Sequence, residues 1–160
     1  MQYDGFRPGA AGAIVALHGR HYAANWGFGP GFEGKVAEEL GAFLRQHDPA
    51  RDLFRAAYDG DTLVGSLIID HTVTGEGGAH LRWFIVSEAA RGTGVGRQLM
   101  ADAMAFVDDQ RTPLTWLTTF SGLTAARALY ERFGFTLTRE DAIDQWNGGV
   151  REQRFERRLP

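Results

Sequence analysis

Three alternate glycines stand between two arginines in Arg91-Gly92-Thr93-Gly94-Val95-Gly96-Arg97. Glycine lets a backbone curl and approach a ligand closely. The run before this segment, Leu81-Arg82-Trp83-Phe84-Ile85-Val86, reads as a strand, and the residues after it, Gln98-Leu99-Met100, open a helix. A glycine turn feeding a helix N-terminus presents unpaired N–H groups, and the helix dipole strengthens their pull on an anion. With Arg91 and Arg97 on either side, this is the chemistry of a phosphate or pyrophosphate cradle. It is not a P-loop, because no Gly-Lys-Ser/Thr follows. It is not a dinucleotide fingerprint either, because Arg97 stands where the last glycine of Gly-x-Gly-x-x-Gly must fall. A ligand-free surface turn is the alternative; the strand before, the helix after and the flanking arginines weigh against it.

The elements that must position this turn alternate in type. Tyr3 to Arg7 reads as a short strand stopped by Pro8-Gly9. Ile14, Leu17 and Tyr22 give an amphipathic helix over 11–26, ended by Gly27-Phe28-Gly29-Pro30-Gly31. Val36, Leu40, Phe43 and Leu44 line one face of a helix over 32–45. Strands follow at 53–58 and 62–70 around the hairpin turn Asp59-Gly60-Asp61, then at 79–86 after a turn at Gly75–Gly78. A helix at 96–109, a strand at 114–120 and a helix at 124–133 capped by Gly134 come next, then strands at 135–138 and 152–159. The pattern predicts one α/β domain over residues 1–160, a mixed central sheet of about seven strands with about four helices.

Composition is consistent with that. The chain has 160 residues, 44% hydrophobic and 23% charged, an ordinary globular balance with enough chain to bury a core. The formal charge of −3 gives no reason to expect nucleic acid or a membrane surface as partner. There is no cysteine, which excludes disulfides, a thiolate nucleophile and Cys-ligated metals. Met1 to Pro8 lacks the apolar run of a signal peptide, and no stretch approaches the roughly 20 apolar residues of a membrane span, so a cytoplasmic location is expected. His18 and His21 lie three apart on a helix without a third ligand in view, so no metal is expected.

Arg91-Gly92-Thr93-Gly94-Val95-Gly96, placed between strand and helix, resembles the acetyl-CoA pyrophosphate loop of the GNAT superfamily of N-acetyltransferases. The segment Leu129-Tyr130-Glu131-Arg132-Phe133-Gly134-Phe135 is similar to the Leu-Tyr-x-x-x-Gly-Phe helix-to-strand signature of the same superfamily, and the order of elements fits it throughout. His18-Gly19, Tyr22, Phe32-Glu33, Leu81-Arg82 and Glu152-Gln153 resemble, more narrowly, GNAT domains fused to MarR-type regulators, although no DNA-binding module is present. One departure stands out: Leu123 occupies the position where many relatives carry Asn, leaving Thr124 as the residue to replace its coenzyme contact.

The resemblance implies direct attack of an amine on the thioester of acetyl-CoA, with no metal. Backbone N–H groups of Gly92, Thr93, Gly94, Val95 and Gly96 would bind the pyrophosphate beside Arg91 and Arg97. The pantetheine arm would lie between splayed strands, and a backbone N–H of Phe84, Ile85 or Val86, at a bulge, would meet the oxyanion. Tyr130 takes the position of general acid toward the leaving thiolate; packing is its alternative. For the base, Glu33, His80 and a water chain stay open. A carboxylate early in a helix is often a dipole partner, and a strand histidine is often structural.

Strand alternation with a bulge turns Arg82 toward the cleft, where it would clamp an anionic acceptor or else form an ion pair. Tyr22, Trp26, Phe28 and Phe32 would line the acceptor pocket or pack in the core. The expected partner is a small-molecule amine, with a homodimer compatible. A non-catalytic acetyl-CoA sensor and a peptide N-acetyltransferase are the alternatives.

Overall fold

The computed structural model describes residues 1–71, 78–141 and 151–160. Most of the turn expected at Gly75–Gly78, residues 75–77, lies outside them. The described residues form strands β1 (Gln2–Asp4), β2 (Leu53–Asp59), β3 (Thr62–Asp70), β4 (Ala79–Val86), β5 (Leu114–Phe120), β6 (Thr136–Glu140) and β7 (Glu152–Arg158). The helices are α1 (Ala10–Trp26), α2 (Pro30–Gln46), α3 (Val95–Asp109) and α4 (Thr124–Arg132). The strands make one sheet in the order β1-β2-β3-β4-β5-β7-β6. Every pair is antiparallel except β4–β5.

The sheet separates two cores because successive strand side chains point to opposite faces. Leu67 and Ile69 of β3 meet Leu99, Met100, Ala103 and Val107 of α3. Ile68, between them, meets Ile14 of α1 and Val36, Leu40 and Phe43 of α2. The periodicities of α2 and α3 therefore do what the sequence predicts.

Several boundaries move by one to three residues, and two of the shifts have a visible cause. The first strand ends at Asp4 rather than Arg7, because the Asp4 carboxylate accepts the Gly5 N–H at 2.7 Å and turns the chain. Helix α2 begins at Pro30 rather than Phe32; proline fits a first helical position, where no intrahelical N–H bond is lost. A 3₁₀ turn at Glu88–Ala90, unforeseen, lies between β4 and the glycine segment.

Candidate active site

Strands β4 and β5 pair only at Ala79–Thr115 and His80–Trp116. Beyond that point they part, so the expected splay is present. Gly78 permits the close start: a Cβ there would come within 2.2 Å of the Leu114 carbonyl oxygen. The gap opens into a cavity of about 360 Å³ lined from α1 by His18 and Tyr22, from α2 by Phe32 and Glu39, from β5 by Thr119 and Phe120, and from α4 by Tyr130.

The glycine segment follows the end of β4, where a Cβ on Gly96 would lie 3.4 Å from the Phe84 and Val86 side chains. The Thr93 N–H and hydroxyl both turn inward to the Ala90 carbonyl. Gly92 (φ 76°) and Gly94 (φ 90°) take the left-handed backbone that side chains disfavour. Gly94 caps α3 without a side-chain bond, and the first intrahelical bond runs from Gln98 N–H to Gly94 C=O. The N–H groups of Val95, Gly96 and Arg97 therefore have no place in the helix ladder and point outward at its positive end. Helix α3 reaches this position because Gly65 of β3 lets Val95 and Leu99 sit down on the sheet; a Cβ there would lie 3.1 Å and 3.2 Å from their side chains. Arg91 and Arg97 are exposed, and Arg91 also reaches α1, 2.9 Å from His21 Nδ1. Thr124 opens α4 and is exposed.

The bulge is real and falls slightly earlier than Phe84–Val86. Ile68 pairs with Arg82 but Ser66 pairs with Ile85, so Trp83 and Phe84 together oppose Leu67. Trp83 carries the distortion at φ 49°. The buried Ser66 hydroxyl donates to the Trp83 carbonyl at 2.7 Å and satisfies the oxygen that the ladder gives up. One result is that Arg82 and Trp83 stack on each other, with the guanidinium carbon 4.1 Å from the ring centre.

Tyr130 is buried, lines the cavity beside Thr119, and packs its ring on Phe84, Phe135 and Phe155. Burial, and then the neighbouring Tyr22 hydroxyl, hold its phenol well above the ordinary tyrosine range, so it keeps its proton. Burial likewise pushes Tyr22 up to about 12.

The two side chains expected as bases are placed unfavourably. Glu33 is not at the cavity; it lies over Gly19 of α1 and lines a separate groove beside Arg20. His80 does line the cavity, but stacked on Trp116 at 3.7 Å with Nδ1 buried and unpartnered. Burial, then Arg82 and Arg154, pull it down to about 2, so it is a neutral plate in the wall. The Arg82 clamp also gives way to its alternative: Arg82 pairs with Glu39 and, at 3.3 Å, with Asp70. Of the four aromatics, Tyr22 and Phe32 line the cavity, whereas Trp26 and Phe28 pack around Tyr22 and Phe120.

Sequence reasoning overlooked His18, Glu39 and Thr119 as cavity residues. His18 had a signal: Ile14, His18 and Tyr22 recur every fourth residue on the buried face of α1. Counting histidine as polar hid it.

The sheet parts at its centre between β4 and β5, helix α3 begins just after β4 with no side-chain cap, and a protonated tyrosine lines the cavity. The sequence profile of the acetyltransferase (GNAT) family matches residues 16–135, and the chain belongs to that family. Its fold is shared with a GCN5-related N-acetyltransferase from Kribbella flavida (21% identity, 99% of this chain and 97% of that one, TM-score 0.77). It is shared equally with a ribosomal-protein-alanine N-acetyltransferase from Brucella melitensis (18% identity, 99% and 100% covered, TM-score 0.77). A Bacillus anthracis protein described as a streptothricin acetyltransferase, solved with acetyl coenzyme A, matches 69% of this chain over 64% of its own (20% identity, TM-score 0.58). No curated protein matches. No helix of the described residues is long and apolar enough to cross a membrane.

Proposed function

We propose that this protein is an N-acetyltransferase that moves the acetyl group of acetyl-CoA to a primary amine of a small acceptor by direct attack. The observation that carries the reading is the parting of β4 from β5 after His80–Trp116, with β4 running on from there to the glycine segment that opens α3. The residues fit acetyl-CoA on their own geometry. The α3 amides and the two arginines suit a pyrophosphate, and the unpaired facing edges of β4 and β5 suit an amide-bearing arm.

Acetyl-CoA supplies an activated thioester. The chain supplies the rest. The bulge of β4 turns a backbone N–H toward the developing oxyanion, a contribution commonly about 3 kcal/mol. Tyr130 holds a proton for the leaving sulfur. A thiolate with a reference pKa near ~8.5 is already a fair leaving group, so this help is modest. Arg82, taken up by Glu39 and Asp70, gives no reason to favour an anionic acceptor. The aromatic wall of Tyr22, Phe32 and Phe120 favours an acceptor with an apolar body, bound as the free amine.

Calorimetric titration with acetyl-CoA, followed by thiol release against amino acids, amino sugars, polyamines, arylalkylamines and peptides, tests this. Binding with turnover on a small amine supports it. Binding without turnover on any amine makes the protein a sensor, and turnover on peptides alone makes it a peptide acetyltransferase. No binding overturns the reading.

A further inference from the structure

We infer that His18 Nε2 accepts the proton that the amine loses during acetyl transfer. This rests on the acetyltransferase reading, which leaves the amine's proton without an acceptor. His18 sits one turn after Ile14 and one turn before Tyr22 on the buried face of α1. Its Nδ1 lies 2.8 Å from the Ile14 carbonyl oxygen. A carbonyl only accepts, so Nδ1 must carry the hydrogen, and Nε2 is left as a bare lone pair. No described residue bonds that nitrogen, and it is not among the buried polar atoms without a partner. His18 lines the reaction cavity together with Tyr130, so the lone pair is left to the cavity.

This tautomer lock separates His18 from His80, whose proton uptake is opposed by Arg82 and Arg154 as well as by burial. Burial pulls His18 down to about 4, with the Ile14 bond working against the shift. So weak a base cannot take a proton from a free alkylammonium. It has no need to, because the amine nitrogen becomes far more acidic as it bonds to the carbonyl carbon.

The step balances. The N–C bond forms and the C–S bond breaks. The amine's proton passes to His18 Nε2, and the Tyr130 proton passes to sulfur. Burial disfavours both the imidazolium and the phenolate that result, so the proton returns from His18 to Tyr130. Tyr22, whose ring is stacked 6.3 Å from His18, lines the same cavity as His18 and Tyr130.

Two measurements test the assignment. Long-range ¹⁵N spectra of the whole protein report the His18 tautomer directly. Nδ1–H with an unprotonated Nε2 is expected; Nε2–H would overturn the proposal whatever the enzyme does. In the thiol-release assay, His18→Gln and His18→Ala should lower kcat at least thirtyfold and leave acetyl-CoA affinity within about threefold. Added imidazole should restore His18→Ala by tenfold or more. Wild-type turnover matched by His18→Gln overturns this proposal alone. If His18→Ala fails to fold, His18→Gln and the wild-type tautomer decide. Absence of both acetyl-CoA binding and wild-type turnover overturns the acetyltransferase reading, and this proposal with it.

Discussion

Tyr130, proposed as the proton donor, is also a packing residue. Its ring fills the core between Phe84, Phe135 and Phe155, so the packing alternative weighed from sequence holds for the ring. Tyr130 and Thr119 both line the cavity, and burial keeps the proton on the phenol. Tyr130→Phe removes only the oxygen. It should lower kcat about a hundredfold, the low end for a lost general acid because the thiolate leaves readily unaided. Acetyl-CoA affinity by calorimetry should stay within about twofold, since the α3 amides are untouched. A kcat equal to wild type would reduce Tyr130 to a core residue. Arg82 teaches the opposite lesson: its strand was legible and its bulge entered through family resemblance, but its partners Glu39 and Asp70 come from α2 and from the end of β3. No spacing rule connects positions 39, 70 and 82.

The elements carry the binding site. The glycine segment was readable because its glycines meet a backbone need, left-handed φ at Gly92 and Gly94, and because strand and helix flank it. The splay was not readable from residue types, since β4 and β5 are ordinary buried strands; it entered only through family resemblance. The bulge at Trp83–Phe84, which Ser66 holds from the neighbouring strand, lies in the stretch of β4 that has already left β5.

Two substitutions test these devices. Ser66→Ala leaves the buried Trp83 carbonyl without its donor and should cost about 1–3 kcal/mol in denaturant unfolding. On the proposal that the bulge aims the oxyanion donor, kcat should fall with it, while Tyr130→Phe leaves stability nearly unchanged. Gly94→Ala forces a Cβ onto a φ of 90° at the cap of α3 and should cost about 1–2 kcal/mol. Acetyl-CoA affinity should drop at least tenfold as the amides turn away. Unaltered affinity in Gly94→Ala would mean that the turn does not hold the coenzyme.

At the scale of the whole molecule, buried histidines tie folding to pH. Burial lowers His18 from an ordinary 6.5 to about 4. Burial, then Arg82 and Arg154, lower His80 to about 2. Burial, then Arg91, lowers His21 in the same direction. All three folded values lie below the unfolded one, so the fold favours the neutral rings. Above pH ~6.5 neither state binds these protons and the full stability is present. As pH falls below that, the unfolded chain takes up protons that the folded chain refuses, and stability drops by about 1.4 kcal/mol per pH unit for each of the two buried rings, His18 and His80, and by much less for the more exposed His21. His18 stops contributing to the slope near about 4, and His80 continues to about 2. Asp52 does not share this window. Burial pushes its carboxyl up, but bonds from His71 N–H, Arg51 and Asp48 N–H outweigh that and leave it below its ordinary 3.8, so its contribution is lost only in stronger acid. Urea midpoints should therefore fall steadily from pH 7 to pH 5. His80→Phe keeps the stack on Trp116 without a titrating nitrogen and should remove roughly half of that decline. A midpoint flat from pH 7 to pH 5 in the wild type would mean that these rings are hydrated in the folded chain, and the cavity would then be too wet to favour a free amine.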